Sequence, residues 1–324
     1  MSYALCLFLL ALPYQATWGA GDTWTTRAGI PVTVANGGSL AYPGSGDTIY
    51  AMAGNSSSWF YAYSISGNSW TAKANVPAAV DEGGALAYPG SGDTIYAMIN
   101  NPTNSIFTYS ISGNTWDTKA ATPYVGVARG GALVCPPTGD TIYAFMGNTT
   151  NYFHAYSITN NTWETKASAP YNTNYGAQLV YPGSGDTIYA FVGNIANYLH
   201  TYSISGNTWD TKATLPGPLG FGGSMEYVAS GNSLYVFKGG NTTNFWAYSI
   251  STNTWETKAA LPGNVSYGGS LAYTGSGDTI YALQGNGGGF WAYTLPPSYA
   301  GPKWYVNDTR TAADSFTYAG GSDT

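Results

Sequence analysis

Five charged residues break the repeating pattern of the sequence, and they could carry site-specific chemistry. They are Asp81, Glu82, Arg129, Glu226 and Lys238. A carboxylate beside a cation can act as an acid and base in proton transfer, or the two can form a simple ion pair. Asp81, Glu82 and Arg129 fall in adjacent repeats and fit either a salt-bridged rim or an acid–base set. The other charged residues are mostly periodic and are expected on edge strands or in turns.

Glu226 and Lys238 stand where the other repeats carry small or apolar residues. A predicted hairpin centred on residue 231 places them diagonally on one face. Two buried charges are best tolerated as a compensating pair, so we predict an ion pair between them. A catalytic acid with a nearby cation is the alternative.

A Gly-rich stretch with a carboxylate, YPGSGDTIYA at 42–51, recurs verbatim at 88–97 and 181–190. Phosphate-binding loops lead from a strand into a helix, whereas this loop joins two predicted strands. A calcium site needs several more oxygen ligands than one Asp supplies. We therefore predict a structural turn whose Asp caps loop backbone and opens a strand.

The two histidines and two cysteines favour structural roles over catalysis or metal binding. His154 and His200 occupy one repeat position that other repeats fill with aromatic residues, which predicts strand packing. Without a free histidine no Ser–His–Asp set can be assembled. Cys6 falls in a predicted signal peptide, which leaves Cys135 alone. We expect no metal and no cofactor.

Six repeats position these residues. Successive Trp residues at 24, 70, 116, 163, 209 and 255 are separated by 46 or 47 positions. Each repeat contains four short segments rich in β-branched and aromatic residues, bounded by Gly, Pro, Asn or Ser. Four strands at this period predict an all-β fold, a six-bladed β-propeller of four-stranded antiparallel blades spanning 22–297. The N-terminal strand, at 22–27, is expected to complete the last blade, with Lys303-Trp304 as its rival.

The repeats resemble the kelch family in the segment YSISGNTW and in the strand DTIYA that leads toward a glycine. The paired glycine of that family survives only as Gly239-Gly240, and Gly-Asn replaces it in most other repeats. The resemblance implies a propeller that presents binding loops. Some kelch-like propellers are copper-dependent galactose oxidases or sugar epimerases, but this chain lacks the Cys and His that the oxidase chemistry requires.

Strand direction sorts the loops onto two faces. The nearly invariant GSGDT and SISGNT loops share one, which we call the uniform face. The variable face carries the loops that differ between repeats, and loops on a rigid scaffold commonly carry binding residues. Drift of unconstrained loops predicts small polar residues, whereas these loops are rich in aromatic ones. Our candidate ligand-binding residues are Trp59, Glu82, Arg129, Tyr152, Tyr175, Tyr198, Phe221, Tyr267, Glu226 and Lys238.

Exposed Trp and Tyr beside Asn, Ser and Thr suit a glycan, because sugars present apolar C–H faces and hydroxyl groups. A surface protein is the other partner we expect, since Tyr and Trp also anchor protein interfaces. The net charge of −6 and pI near 4.6 argue against nucleic acid. A carbohydrate-active enzyme (a sugar epimerase, lyase or oxidase-like activity) that uses the charged residues is the alternative function, and a structural spacer is a third.

The ends of the chain differ from the repeats. The apolar run at 4–12 is too short to span a bilayer and is typical of a signal peptide, which we place at 1–19. Residues 298–324 form a linker, and the segment from Trp304 resembles the start of β-helix domains in bacterial surface proteins. We therefore expect a secreted or cell-surface binding and adhesion module, monomeric within a longer chain and without a membrane span.

Overall fold

The computed structural model describes residues 21–296, except 101–104, 125, 138, 194–196 and 276–277. The predicted signal peptide and the tail from 298 lie outside the described residues. The described chain forms 24 short β-strands and one 3₁₀ turn, Ala229–Gly231. None of the described residues form a helix of the length and hydrophobicity that crossing a bilayer requires. The predicted all-β class is confirmed.

The strands form six four-stranded antiparallel sheets, which are the six predicted blades. Blade 1 contains β2–β5, blade 2 β6–β9, blade 3 β10–β13, blade 4 β14–β17, blade 5 β18–β21, and blade 6 β22–β24 with β1. The strands are β1 Thr23–Thr26, β2 Ser39–Ala41, β3 Thr48–Met52, β4 Phe60–Ser64, β5 Ser69–Ala72, β6 Ala85–Ala87, β7 Thr94–Met98, β8 Ser105–Ser110, β9 Thr115–Ala121, β10 Gly131–Val134, β11 Thr141–Met146, β12 Phe153–Ser157, β13 Thr162–Thr165, β14 Gln178–Val180, β15 Thr187–Phe191, β16 Tyr198–Ser203, β17 Thr208–Thr214, β18 Ser224–Val228, β19 Ser233–Phe237, β20 Phe245–Ser249, β21 Thr254–Thr257, β22 Ser270–Tyr273, β23 Thr279–Leu283 and β24 Phe290–Thr294.

The hydrophobic core lies between blades rather than within them. Each of the six buried clusters combines side chains from two neighbouring blades, including the cluster that joins blade 6 to blade 1. The first strand of every blade contacts the first strands of its two neighbours, so these strands surround a central channel. A single blade has two apolar faces, and only a closed ring covers them all.

The N-terminal strand closes the ring, as predicted. β1 pairs with β24, with Trp24 opposite Tyr293. In the other blades an Asn with positive φ accepts a hydrogen bond from a buried Tyr hydroxyl and from a backbone N–H of the preceding blade; Asn68, for example, does so at 2.7 and 2.9 Å. Asp22 takes over this role at the closure, where it accepts from Tyr293 and from the Ala259 N–H. The hydrogen bonds at the closure are therefore equivalent to those between the other neighbouring blades.

The GSGDT loops are structural. The Asp47 carboxylate accepts hydrogen bonds from the Ser64 hydroxyl and from the Ser66 N–H and hydroxyl, at 2.7 to 2.8 Å. These bonds hold the pKa of Asp47 below its usual value. Matching bonds recur at Asp93, Asp140 and Asp186. The Asp therefore fastens the loop between strands three and four, which confirms that both invariant loops share one face.

The outermost strands carry local ion pairs. Four lysines lie 2.7 or 2.8 Å from the carboxylate two residues earlier on the same strand: Lys119–Asp117, Lys166–Glu164, Lys212–Asp210 and Lys258–Glu256. Charged side chains of this kind discourage pairing of an exposed strand edge with another chain.

Candidate functional site

The variable face is built from two sets of loops that are joined by backbone hydrogen bonds. Except at blade 2, where residues 101–104 are not described, the loop between strands two and three of each blade lies against the loop that enters the next blade. Between blades 3 and 4, for example, the Thr173 N–H donates to the Thr150 carbonyl at 2.7 Å, and the Ala169 N–H donates to the Asn151 carbonyl at 2.9 Å. Side chains on this face are therefore held by paired backbone rather than by free loops.

One residue per blade points toward the mouth of the channel, immediately before the first strand. In blades 1, 3 and 6 its carbonyl accepts a hydrogen bond from the Asn of the Gly-Asn turn after the second strand; the Asn148 N–H, for instance, donates to the Arg129 carbonyl at 2.9 Å. The next residue is a glycine with positive φ, and a side chain on Gly130 would collide with the backbone of Asn174 in the next blade. The repeat thus brings six side chains close together around one axis.

Five of the predicted site residues meet at this mouth, and we call them the mouth cluster: Glu82, Arg129, Tyr175, Phe221 and Tyr267. Arg129 Nε donates to Glu82 Oε2 at 2.8 Å, and the guanidinium lies 4.9 Å from the centre of the Tyr175 ring. The Tyr175 hydroxyl donates to Glu82 Oε1 at 2.7 Å. Both Glu82 oxygens are therefore occupied.

The other half of the mouth cluster is aromatic. Phe221 and Tyr267 stack with ring centres 4.2 Å apart and an interplanar angle of 10°, and Tyr175 meets Tyr267 edge-on at 5.4 Å. Burial, the hydrogen bond to Glu82 and the charge of that carboxylate raise the pKa of Tyr175 to about 12. Tyr175 therefore stays a neutral hydrogen-bond donor at physiological pH.

Asp81 does not join its predicted partners. Its carboxylate accepts from the Ser56 hydroxyl at 3.0 Å and from the Glu82 N–H at 2.9 Å. Of the three residues, Glu82 and Arg129 form the ion pair. The cavity at the mouth measures about 70 Å³, far below the few hundred Å³ of a typical enclosed ligand site.

Glu226 lines the central channel, a cavity of about 250 Å³. Its carboxylate accepts the N–H groups of Tyr227 and of Tyr273 in blade 6, and burial raises its pKa to about 8 in spite of these bonds. Ser224, on the same strand, accepts the Leu271 N–H at 3.0 Å across the same seam. Glu226 therefore ties blade 5 to blade 6, as Ser224 does.

The predicted Glu226–Lys238 ion pair is wrong. Glu226 lies opposite Tyr235 in the β18–β19 ladder, and Lys238 is three residues beyond Tyr235. Side chains alternate between the two faces of a sheet, so Glu226 and Lys238 point to opposite faces. The hairpin is centred between residues 230 and 231, half a residue from the predicted centre, and that offset reverses the facing.

The remaining predicted site residues lie farther out on the variable face. The four large apolar side chains that are exposed among the described residues are Trp59 at 43%, Tyr152 at 44%, Tyr171 at 51% and Tyr198 at 39%. All four belong to the two loop sets of the variable face. Trp59, Tyr152 and Tyr198 were predicted from the sequence, whereas Tyr171 was missed.

Tyrosines pair in two neighbouring blades, and we call each pair a platform. The blade 3 platform joins Tyr124 and Tyr152, with ring centres 5.0 Å apart at 68°. The blade 4 platform joins Tyr171 and Tyr198, 5.9 Å apart and nearly parallel at 8°. Tyr124 and Tyr171 share one repeat position, directly after the loop Pro. That position carries the signal by which both could have been found.

Both histidines are buried beside the platforms, which confirms their predicted packing role. His154 lies 6.3 Å from Tyr152, and His200 lies 5.7 Å from Tyr171 and 6.1 Å from Tyr198, between ring centres. Burial lowers the pKa of each imidazole. The described residues also contain no group of three or more His, Cys, Asp and Glu side chains placed to hold a metal ion.

Comparison with known proteins supports the fold alone. No family model matches the chain, and no curated protein is similar to it in sequence. Among solved structures, YjhT matches with a TM-score of 0.62 at 15% identity, covering 82% of this chain and 95% of its own.

Two further matches are the WD40 repeats of RRP9 and a protein of unknown function from Bacteroides thetaiotaomicron. Their TM-scores are 0.60 and 0.61 at 10% and 11% identity, over 84% and 83% of this chain and 97% and 72% of theirs. At such identities the comparisons establish a β-propeller and nothing about the ligand.

Proposed function

We propose that the protein is a binding module that recognises a saccharide through its variable face. One observation supports this best: every exposed large apolar side chain of the described chain lies on that face, and none lies on the uniform face. Isolated exposed aromatics are common, but four on one face of a disc indicate an interaction surface.

A saccharide fits this surface better than a protein partner. The platform loops supply Asn and Thr around the tyrosines, and the stretches 145–154 and 169–178 contain no Asp, Glu, Lys or Arg. Protein interfaces favour Arg and apolar side chains around their aromatic anchors. Amides and hydroxyls suit sugar hydroxyls, and aromatic rings suit the C–H faces of a pyranose.

A carbohydrate-active enzyme is the alternative, and the arrangement of charges weighs against it. Glu82 and Arg129 form an ion pair, and Asp81 accepts a hydrogen bond from Ser56. The side chains of Glu226 and Lys238 point to opposite faces of their sheet. The five charged residues named for catalysis thus do not come together in one acid–base set. Turnover of a panel of sugars that Glu226→Gln abolishes would favour the enzyme instead.

The test is a glycan array probed with the full chain and with two single variants of exposed variable-face aromatics, Trp59→Ala and Tyr198→Ala. Tyr88→Ala, on the uniform face, is the matched control. Binding that at least one of the two variable-face changes weakens and the control retains would support the proposal. Absence of binding to every saccharide, or equal loss in all three variants, would refute it.

We further propose that the module is kelch-like and secreted, on the strength of the repeat motifs and of the apolar run at 4–12. Expression of the full chain in a bacterial host with N-terminal sequencing of the exported product tests the leader. An intracellular product that keeps its first residues would contradict it.

A further inference from the structure

In four of the six blades, three positions of the variable face fall into two alternative sets. They are the residue after the loop Pro, the residue that opens the third strand, and the residue two places later. Blades 3 and 4 carry Tyr, Tyr and His at these positions, whereas blades 5 and 6 carry Gly, a small polar residue or Gly, and Trp. In chain order the sets are Tyr124, Tyr152 and His154; Tyr171, Tyr198 and His200; Gly217, Asn244 and Trp246; Gly263, Gly289 and Trp291.

In blades 5 and 6 the buried Trp fills the space under the glycine. A Cβ atom added to Gly263 would lie 3.3 Å from the Trp291 ring, and one added to Gly217 would lie 3.7 Å from Trp246. Both tryptophans are buried. These two blades therefore present no aromatic side chain from these positions to solvent.

In blades 3 and 4 the smaller imidazole replaces Trp, and tyrosines occupy the outer positions. His200 is fully buried, and its Nδ1 lies 3.1 Å from the Thr211 hydroxyl. Tyr171 and Tyr198 both contact its ring and remain exposed. The exchange keeps the space filled and moves aromatic surface from the core to the solvent.

The two platforms are fixed relative to one another. Tyr152 follows Asn151, whose carbonyl accepts the Ala169 N–H, and Tyr171 lies between Ala169 and Thr173, which donates to Thr150. The Thr173 hydroxyl adds a bond of 2.8 Å to the Thr150 carbonyl. Such preorganisation lowers the entropy that binding must remove.

The mouth, in contrast, is closed to a whole sugar. The Glu82–Tyr175 hydrogen bond crosses it, and its cavity of about 70 Å³ is too small to enclose a typical ligand. Exposed rings on two adjacent blades offer successive contacts along a surface. That geometry suits several units of one chain better than a single residue in a pocket.

We infer that the ligand is a linear polysaccharide and that it lies across the seam between blades 3 and 4, with consecutive units on the two platforms. This inference rests on the proposed function and specifies its site and ligand class. His154 and His200 are positioning residues that support the tyrosines and do not touch the ligand.

The test measures the affinity of the full chain for graded linear oligosaccharides, from monosaccharides to hexasaccharides, of β-1,4-linked glucose, α-1,4-linked glucose and β-1,4-linked N-acetylglucosamine. We expect affinity to rise with chain length. The triple variant Tyr171→Gly, Tyr198→Asn and His200→Trp transplants the blade 5 set into blade 4, and it should lower affinity roughly tenfold or more.

Two further variants keep the test decisive. If the triple variant does not fold, Tyr171→Ala replaces it, because that exposed side chain contributes little to the core. Tyr88→Ala on the uniform face should bind as the unaltered chain does. Reciprocal gain of affinity on placing Tyr, Tyr and His at 217, 244 and 246 would add support that a purely structural role could not provide.

The outcomes separate the two proposals. Affinity independent of chain length, or normal binding by the blade 4 variants together with loss in Trp59→Ala, overturns the inference and leaves saccharide binding intact. Failure of every saccharide to bind overturns the proposed function, and the inference with it.

Discussion

Blades 3 and 4 and blades 5 and 6 solve the same packing problem in two ways. Both must fill the space between the loop Pro and the third strand. Blades 5 and 6 fill it from within, with Trp246 and Trp291 under glycines, whereas blades 3 and 4 fill it with a histidine under exposed tyrosines. The two pairs of blades thus distinguish residues that pack inside a blade from residues that a blade exposes on its surface.

The contrast also gives the buried histidines a role. A histidine at a packing position has no evident advantage over Phe or Trp in a core. Beside the platforms it is the smaller ring that leaves space for Tyr171 and Tyr198 to lie against it. The side chains that differ between the two pairs of blades therefore form sets of three. A substitution at one position of a set should alter the packing of the other two residues of that set.

The largest effect is expected from removing the internal support of blade 5. Trp246→Ala should lower the free energy of unfolding by about 3–5 kcal/mol, because it leaves a cavity the size of an indole. His200→Ala in blade 4 should cost clearly less, since the imidazole is smaller and the neighbouring tyrosines can move inward. Urea denaturation of both variants gives the comparison, and equal losses would show that the two supports are equivalent.

A platform residue placed over a tryptophan should be the next most damaging change. Gly263→Tyr forces a ring against Trp291 and should cost about 1–3 kcal/mol by overpacking. The double variant with Trp291→His should recover much of this loss, because it recreates the Tyr and His pairing of the blade 4 set, two of its three residues. Thermal denaturation of both proteins is the measurement. A double variant no more stable than the single one would mean that the three positions do not act together.

The variant Glu226→Gln tests whether Glu226 in blade 5 has a chemical role or only a structural one. Its pKa is raised from 4.5 to about 8 in the folded protein, so the folded state binds this proton more tightly than the unfolded one. The resulting stabilisation is complete below pH 4.5 and is lost as the pH rises through about 8. Glu226→Gln should therefore flatten the fall in melting temperature across this range and leave ligand binding unchanged.

Ser224→Ala is the control for that experiment. It removes a hydrogen bond across the same seam without removing a titrating group, and should lower stability equally at every pH. A pH profile for Glu226→Gln that matches the unaltered chain would contradict the assignment of a raised pKa.

The smallest effect is expected where the two pairs of blades are alike. Lys212→Met in blade 4 and Lys258→Met in blade 5 each remove an outer-strand ion pair with an exposed carboxylate. Each should change stability by about 0–1 kcal/mol, as surface pairs generally do. The two shifts in melting temperature should agree; a large difference would show that the blades differ beyond their variable face.

Much of the site could be predicted because the repeats can be compared with one another. The position before each first strand was identified as variable, and five of its residues contact one another at the channel mouth. Tyr171 was missed because only the residues before the first strand and at the entry to the third strand were compared between repeats, and the residue after the loop Pro belongs to neither set. The facing of Lys238 was wrong because a half-residue error in a hairpin centre reverses every side chain beyond it.

The sequence by itself determined the fold, the number of blades, the closure by β1 and the division into two faces. These follow from a period of 46 or 47 residues and from local turn and strand preferences, which can be recognised because they recur in every repeat. Only the tertiary structure decided which side chains touch. It paired Glu82 with Arg129 and Tyr175, set Glu226 across a seam, and placed tyrosines over histidines, because those contacts join residues from different blades or loops whose distances no local pattern encodes.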